Sequence, residues 1–125
     1  MHALKDKPLP AAGAAYEVAR SGPAQVLIRL SGRLDLTATQ RLGPSLFEFA
    51  RSGRTVDVDL GAVAGIEPAG LALLLGCRRL AHASGGQLRL VAASPAADRA
   101  LRQAGLDRVL PLGGWHHALP ALSSC

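Results

Sequence analysis

Residues 59–76 read DLGAVAGIEPAGLALLLG, and this stretch predicts a strand that leads through a glycine- and alanine-rich turn into an apolar helix. Pro68 defines the helix start, because its missing N–H has no helical partner there and its φ is already near the helical value. The free N–H groups and the positive end of the helix dipole favour a carboxylate, a phosphate or a partner's acidic side chain at this start. The small residues Ala69 and Gly70 let another surface come close.

The apolar helix is expected to run from Pro68 to about Ala83, because its apolar residues recur at i, i+3, i+4 and i+7 spacing. Its predicted core stripe consists of Gly70, Leu73, Leu74, Cys77, Leu80 and Ala81. Leu71 and Leu75 lie off that stripe, so the first two turns would expose apolar surface. A neighbouring loop or a homodimer would cover these two leucines.

Local patterns predict further elements on both sides of this stretch. Two aspartates alternate with apolar residues over 55–60, which predicts a strand with one buried face. The other predicted strands cover residues 16–20, 25–30, 87–91 and 109–112, of which the first two form a hairpin. Another helix begins at Ser94-Pro95 and ends at Gly105. Its predicted inward residues are Ala97, Leu101 and Ala104.

The helix after the second strand has an ambiguous pattern. Asp35 or Thr37 can cap it by accepting a hydrogen bond from a free N–H of the first turn. Gly43-Pro44 falls inside it, where a proline removes a hydrogen bond and clashes with the preceding turn. Two arrangements are open: a kinked helix, or a short turn before a helix from Pro44 to about Arg51. Either way, strands alternating with helices indicate an α/β fold with a mostly parallel sheet and an antiparallel first hairpin.

Composition indicates a single small domain with an aliphatic core. We expect residues 1–13 to form a flexible tail and residues 14–125 to form one domain. Hydrophobic residues make up 49% of the chain and aromatic residues 3%, which excludes an aromatic platform for single-stranded nucleic acid. The net charge of +5 is scattered along the sequence, so direct nucleic-acid binding is not expected.

Reactive side chains are placed in ways that predict no metal site and no catalytic group. Cys77 and Cys125 lie far apart, which favours a reducing compartment. His116-His117 are adjacent and would not face one another on a helix. The N-terminus has no apolar core of a secretory signal, and no run approaches a membrane span in length. We expect a cytoplasmic protein with no metal, no cofactor and no enzymatic activity.

Four segments, in the same order and with similar gaps, match one known family. They are RLSGRLDLTA (29–38), VDLGAVAGIEPAGLALLLG (58–76), GGQLRLV (85–91) and SPAADRALRQAGLDRVLPL (94–112). In these segments the chain resembles the STAS domain family, which includes bacterial anti-sigma-factor antagonists, cytoplasmic domains of sulfate transporters and a small subunit of lipid-transport ABC systems. The resemblance implies a STAS-like mixed, mostly parallel sheet of four to five strands with an antiparallel N-terminal edge hairpin. It also implies about four covering helices and a partner-binding surface at the central helix start.

The helix start departs from the family pattern. In the antagonists this place reads Asp-Ser-Ser-Gly, and a partner kinase phosphorylates the serine at its second position, which switches binding off. Here Glu67, Pro68 and Ala69 occupy the first three places, so the acceptor hydroxyl is missing. The chain has no serine or threonine between Thr55 and Ser84. The resemblance therefore implies partner binding without the usual serine switch, or control at another place.

Two functional hypotheses follow. The expected partner-binding residues are Asp35, Glu67, Pro68, Ala69, Gly70, Leu71 and Leu75, with Asp35 equally open to a role as a helix cap alone. The first hypothesis is a bacterial regulatory module that binds an anti-sigma factor or a kinase-like protein and so regulates transcription. The alternative is a cytoplasmic accessory subunit that contacts the permease or ATPase of a lipid-transport ABC system, where a basic surface would suit anionic headgroups.

Overall fold

The computed structural model describes residues 13–110, whose elements alternate between strand and helix after an initial hairpin. They are β1 (Ala15–Ser21), β2 (Gln25–Leu34), α1 (Leu36–Ala50), β3 (Thr55–Ile66), α2 (Pro68–Ala83), β4 (Gln87–Ala93) and α3 (Pro95–Gln103). The strands lie in the order β1-β2-β3-β4. β1 pairs with β2 antiparallel, and β2, β3 and β4 pair in parallel. The predicted α/β class, mixed sheet and edge hairpin are confirmed, with three helices in the described residues where about four were expected.

One face of the sheet carries the hydrophobic core. Alternate residues of β2, β3 and β4 are buried there in one cluster, to which α1, α2 and α3 each contribute side chains. The cluster includes Ile28 and Val58 from the sheet, Leu46 from α1, Leu74 from α2 and Leu101 from α3. The core is aliphatic, as the composition predicts. We call the opposite side of the sheet the open face.

α1 is one helix of 15 residues. Asp35 caps it by accepting a hydrogen bond from the N–H of Ala38 at 2.8 Å, which decides between Asp35 and Thr37. Pro44 lies inside the helix and is exposed. The arrangement with a separate helix beginning at Pro44 is therefore wrong. Burial of the inward side of α1 against the core outweighs the one backbone hydrogen bond that the proline removes.

β3 is longer than the sequence pattern predicts. It continues to Ile66 through the glycine- and alanine-rich segment that was expected to be a turn. Residues of this segment pair in parallel with the second half of β2, as far as Leu34 opposite Ile66. This part of the strand forms by pairing with a distant segment of the chain. Its small residues do not alternate between apolar and polar, so the sequence contains no pattern that predicts a strand there.

The end of the described chain also differs from expectation. Ser94 caps α3 by accepting a hydrogen bond from the N–H of Ala97 at 3.0 Å, as predicted. Ala104 is exposed rather than inward, because α3 ends at Gln103. The predicted strand over 109–112 is wrong for its described half, since Leu110 instead donates a backbone hydrogen bond to Leu106 in a turn. The predicted tail up to residue 12 and the His116-His117 pair lie outside the described residues.

Candidate functional site

The starts of α1 and α2 lie side by side at one end of the sheet. β2 and β3 are adjacent parallel strands, so the helices that follow them begin at the same edge. The N–H of Glu67 donates a hydrogen bond to the carbonyl of Leu34 at 3.0 Å, which fixes one helix start against the other. The structure thus brings together the residues that we call the helix-start surface: Asp35, Leu36, Glu67, Pro68 and Ala69.

The helix-start surface has an apolar centre. The Leu36 residue is 58% exposed, more than any other large hydrophobic residue among residues 13–110. Pro68 is exposed at the first position of α2, and Ala69 beside it is half-buried. Leu36 was not among the residues expected from sequence. Its only sequence signal is its place directly after the capping Asp35, where a helix has just left the sheet.

Gly70 supports this surface from beneath. It is buried, and a β-carbon at its position would lie 2.6 Å from the carbonyl oxygen of Leu34 and 2.9 Å from the side chain of Ile66. Only a glycine lets the first turn of α2 approach the end of β2 so closely. Gly70 is therefore buried beneath the helix-start surface and positions its neighbours, and its predicted part in partner contact stays a prediction.

Leu71 and Leu75 are less exposed than their place off the core stripe indicates. Both are half-buried and pack against the hydrophobic core. The apolar part of the helix-start surface consequently rests on Leu36 and Pro68, which are both exposed.

Charged groups surround the apolar centre. Nε of Arg33 donates a hydrogen bond to Oε2 of Glu67 at 3.2 Å, and both side chains are about half exposed to solvent. An exposed pair of this kind contributes about 0–1 kcal/mol to stability. Glu67 makes no side-chain cap of α2, in contrast to Asp35 on α1. The backbone N–H groups of the first turn of α2 thus have no side-chain acceptor from the cap residue.

The open face holds a second group of charged side chains, in a cleft of about 600 Å³. Asp57 is only 6% exposed there. It accepts hydrogen bonds from Nε and Nη2 of Arg89 at 2.8 and 3.1 Å and from the Gln25 amide at 2.6 Å. The hydrogen bond to Asp57 raises the pKa of Arg89. Because these groups satisfy one another, their arrangement links β2, β3 and β4.

The other reactive groups are the Cys77 thiol and the potential metal ligands. Cys77 is buried in the core, and burial raises the pKa of its thiol to about 12, so it stays protonated at neutral pH. Within residues 13–110, no three histidine, cysteine or acidic side chains come together in a way that could hold a metal ion. No helix in the described part of the chain is long and apolar enough to cross a membrane.

Comparisons with known proteins agree with this fold. A family model described as "Mlab, STAS domain" matches residues 18–112. No curated protein sequence matches the chain.

Solved structures with similar folds include an anti-sigma factor antagonist from Mycobacterium paratuberculosis, with 24% identity and a TM-score of 0.71 over 86% of this chain and 92% of that one. The anti-sigma factor antagonist SpoIIAA in its unphosphorylated form has 21% identity and a TM-score of 0.67 over 89% and 98%. A STAS domain protein from Planctomyces limnophilus has 19% identity and a TM-score of 0.67 over 86% and 97%. At these identities the likeness establishes the fold.

Proposed function

Because the chain belongs to the STAS domain family, we propose that it is a non-catalytic protein-interaction module that resembles an anti-sigma-factor antagonist. It binds a partner protein through the helix-start surface, without control by phosphorylation of a serine at the start of α2. The observation that carries this proposal is the exposed apolar centre, because Leu36 and Pro68 are both exposed at the first positions of two helices that begin at the same edge of the sheet.

The apolar centre can supply binding free energy. Fully burying a leucine side chain is worth about 1.5–3 kcal/mol. Leu36 still exposes 58% of its surface, so covering it would contribute roughly half of that range. Pro68 holds the start of α2 in one conformation, and the packing of Gly70 keeps that start against β2. A rigid surface loses little conformational entropy on binding, which favours affinity.

The charged margin can set the orientation of the partner. Arg33 and Glu67 form an exposed ion pair next to the apolar centre. Polar groups at the rim of an interface contribute more to specificity and association rate than to affinity. A partner with acidic and basic groups opposite Arg33 and Glu67 would be held in one register, and this selection would weaken as salt increases.

Position 68 has no hydroxyl group, which supports partner binding that is not switched by phosphorylation at the start of α2. Pro68 stands at the first helical position, where the family resemblance places the phosphorylated serine. A phosphate there would add nearly two negative charges at the edge of an apolar surface. Proline offers no oxygen for that modification, so partner binding is constitutive or is controlled at another place.

The second candidate is a cytoplasmic accessory subunit of a lipid-transport ABC system. The STAS domain family, to which the matching model assigns this chain, also includes a small subunit of such systems. The C-terminal half of α2 also carries Arg78, Arg79 and His82, of which Arg79 and His82 are exposed. Basic residues close to a membrane surface gain about 1 kcal/mol each from anionic lipid headgroups. This candidate uses the same surface with a permease or its ATPase as the partner.

Affinity capture from native lysate with the Leu36→Glu variant tests the proposal. The substitution places a carboxylate at the first position of α1, where the helix dipole favours it, and removes a side chain that is mostly exposed. The variant should therefore keep its circular dichroism spectrum and melting temperature. Val109→Glu is the matched control, because Val109 is an exposed apolar residue at another place in the fold.

Wild-type protein and Val109→Glu should recover the same partner, and Leu36→Glu should lose it. Recovery of an anti-sigma factor or kinase-like protein supports the first candidate, and recovery of a permease with its ATPase supports the second. If folded Leu36→Glu recovers the partner as well as the wild type does, the helix-start surface is not the binding site.

A further inference from the structure

β1 is an edge strand that exposes apolar side chains. Within residues 13–110 it pairs with β2 alone, so the backbone groups along its outer side have no strand partner there. Tyr16 and Val18 are 37% and 40% exposed. An edge strand with such groups is a template for pairing with another strand.

A bulge in β1 changes which side chains share a face. Residues 15–18 pair with β2 in one register, and the register shifts between Val18 and Arg20. Glu17 lies opposite Arg29, and Arg20 lies opposite Leu27, both on the open face. In a regular strand, residues three apart would point to opposite faces. The extra residue of the bulge therefore places Glu17 and Arg20 on the same face.

We propose that a second copy of this chain pairs with β1, antiparallel, to form a symmetric dimer in which the four described strands of each copy join in one continuous sheet. The two-fold axis passes between Val18 and Ala19. Glu17 of each copy then lies directly opposite Arg20 of the other, on the open face. Tyr16 lies opposite Ser21 of the second copy, on the face that carries the helices.

This register is selected by face and charge. If the second copy is shifted by one residue in either direction, Arg20 lies opposite Tyr16 or Val18. Arg20 is on the open face and the other two residues are on the face that carries the helices, so these registers pair side chains that lie on opposite faces. In an alternative register, the two-fold axis passes through Glu17, and opposed side chains again lie on the same face of the sheet. Glu17 of one copy would then lie directly opposite Glu17 of the other, and like charges in this position destabilise a sheet. The register centred between Val18 and Ala19 opposes acid to base at both ends of the interface.

The pairing also extends a row of alternating charge across the open face. In one copy Asp59, Arg29 and Glu17 follow one another across β3, β2 and β1, and Nε of Arg29 lies 3.4 Å from Oδ2 of Asp59. In the second copy the row continues with Arg20, Leu27, Asp57 and Arg89. Apart from the neutral Leu27, the charges alternate in sign along the row, and this charge complementarity supports a second copy as the occupant.

Sedimentation equilibrium from low to high micromolar concentration tests the proposal. The wild type should show a monomer–dimer equilibrium. Glu17→Arg and Arg20→Glu should each weaken dimerisation at least about tenfold, because each change turns two attractive contacts into two repulsive ones. The double variant with both changes should recover dimerisation, since the signs are again opposite.

Two exposed residues outside β1 supply matched controls for net charge. Asp107→Arg changes the charge as Glu17→Arg does, and Arg99→Glu changes it as Arg20→Glu does. Both control variants should dimerise as the wild type does. Circular dichroism melting establishes that each variant is folded.

Cysteine cross-linking tests the register independently. Directly opposite residues of antiparallel strands have Cα atoms about 4.5–5.5 Å apart, which suits a disulfide. With Cys125 replaced by serine and Cys77 buried, mixing Glu17→Cys with Arg20→Cys protein should give cross-linked dimers under mild oxidation. Either variant alone should give far fewer.

Three results would overturn the proposal. One is a wild type that stays monomeric over the whole range, in which case the bulge keeps the edge strand unpaired. Another is a dimer that the β1 charge reversals leave unchanged. The third is cross-linking by each single variant as efficient as in the mixture.

Discussion

Replacing Gly70 with alanine tests how the start of α2 is held against β2. The added β-carbon would lie 2.6 Å from the carbonyl oxygen of Leu34, 2.8 Å from its β-carbon and 2.9 Å from the side chain of Ile66. Two of these atoms belong to the end of β2, which is tied to β3 by the parallel pairing of Leu34 with Ile66. The helix start therefore has to move away from the sheet.

The size of the effect follows from two opposing contributions. Forcing extra volume into a packed site costs about 1–3 kcal/mol. Replacing glycine with alanine in a helix interior gains up to about 1 kcal/mol, and less in the first turn. The steric cost dominates, so Gly70→Ala should lower the free energy of unfolding by about 1–2 kcal/mol.

Gly76→Ala in the same helix is the matched control. A β-carbon there would lie 3.3 Å from the ring of Phe47, a half-buried side chain that can shift by a few tenths of an ångström. This variant should be unchanged or more stable by up to about 1 kcal/mol. Urea and thermal unfolding measure the difference, and each kcal/mol corresponds to roughly 3–6 °C in Tm for a chain of this size.

Equal stability of Gly70→Ala and Gly76→Ala would refute the close approach of α2 to β2. The same experiment gives a second readout, because moving the start of α2 displaces Pro68 relative to Leu36. Partner capture should therefore fall with Gly70→Ala and persist with Gly76→Ala.

Three further perturbations have defined outcomes. Asp57→Asn should lower the free energy of unfolding by about 1–3 kcal/mol, because it breaks the ion pair with Arg89; an unchanged urea midpoint would contradict this. Burial raises the pKa of the Cys77 thiol from 9.0 to about 12. The unfolded chain therefore loses this proton first, and stability should fall by about 1.4 kcal/mol per pH unit between about pH 9 and pH 12. Urea unfolding at several alkaline pH values should show that Cys77→Ala lacks this component, and an identical slope in both proteins would disprove the assignment. Pro68→Ser should gain a phosphate from a cognate kinase and ATP, as read by intact mass and located by peptide mapping, while a Pro68→Ser variant that stays unmodified would contradict the assignment of position 68 as the acceptor place.

Helix starts and the main strands could be predicted because their signals are local. Pro68 and Ser94-Pro95 mark helix starts through backbone conformation and capping, and both helices begin there. The alternation over 55–60 correctly predicts a strand with one buried face. These signals depend on neighbours within a few residues, so a single sequence contains them.

The extension of β3 and the continuity of α1 could not be predicted, because both depend on distant parts of the chain. Residues 61–66 become a strand only by pairing with β2. The proline in α1 is accommodated because the helix packs its inward side on the core. Local propensity disfavours both results, and tertiary contacts decide them.

The place of the candidate site in the chain could be predicted, but not all of the residues that form it. The resemblance directs attention to residues 67–69, and the structure places these at an accessible edge of the fold. Leu36 could not be recognised, because its exposure depends on α1 and α2 beginning side by side. The burial of Gly70 agrees with its place in the predicted core stripe, but its close approach to the end of β2 depends on tertiary packing, which no pattern within α2 records.

Hydrogen–deuterium exchange of the chain with and without its captured partner tests the central claim most directly. We expect amide protection to increase at residues 36–38 and 69–72, where the two helix starts form one surface, and to change little in α3. Protection confined to α3 or to the open face of the sheet would contradict binding through the helix-start surface.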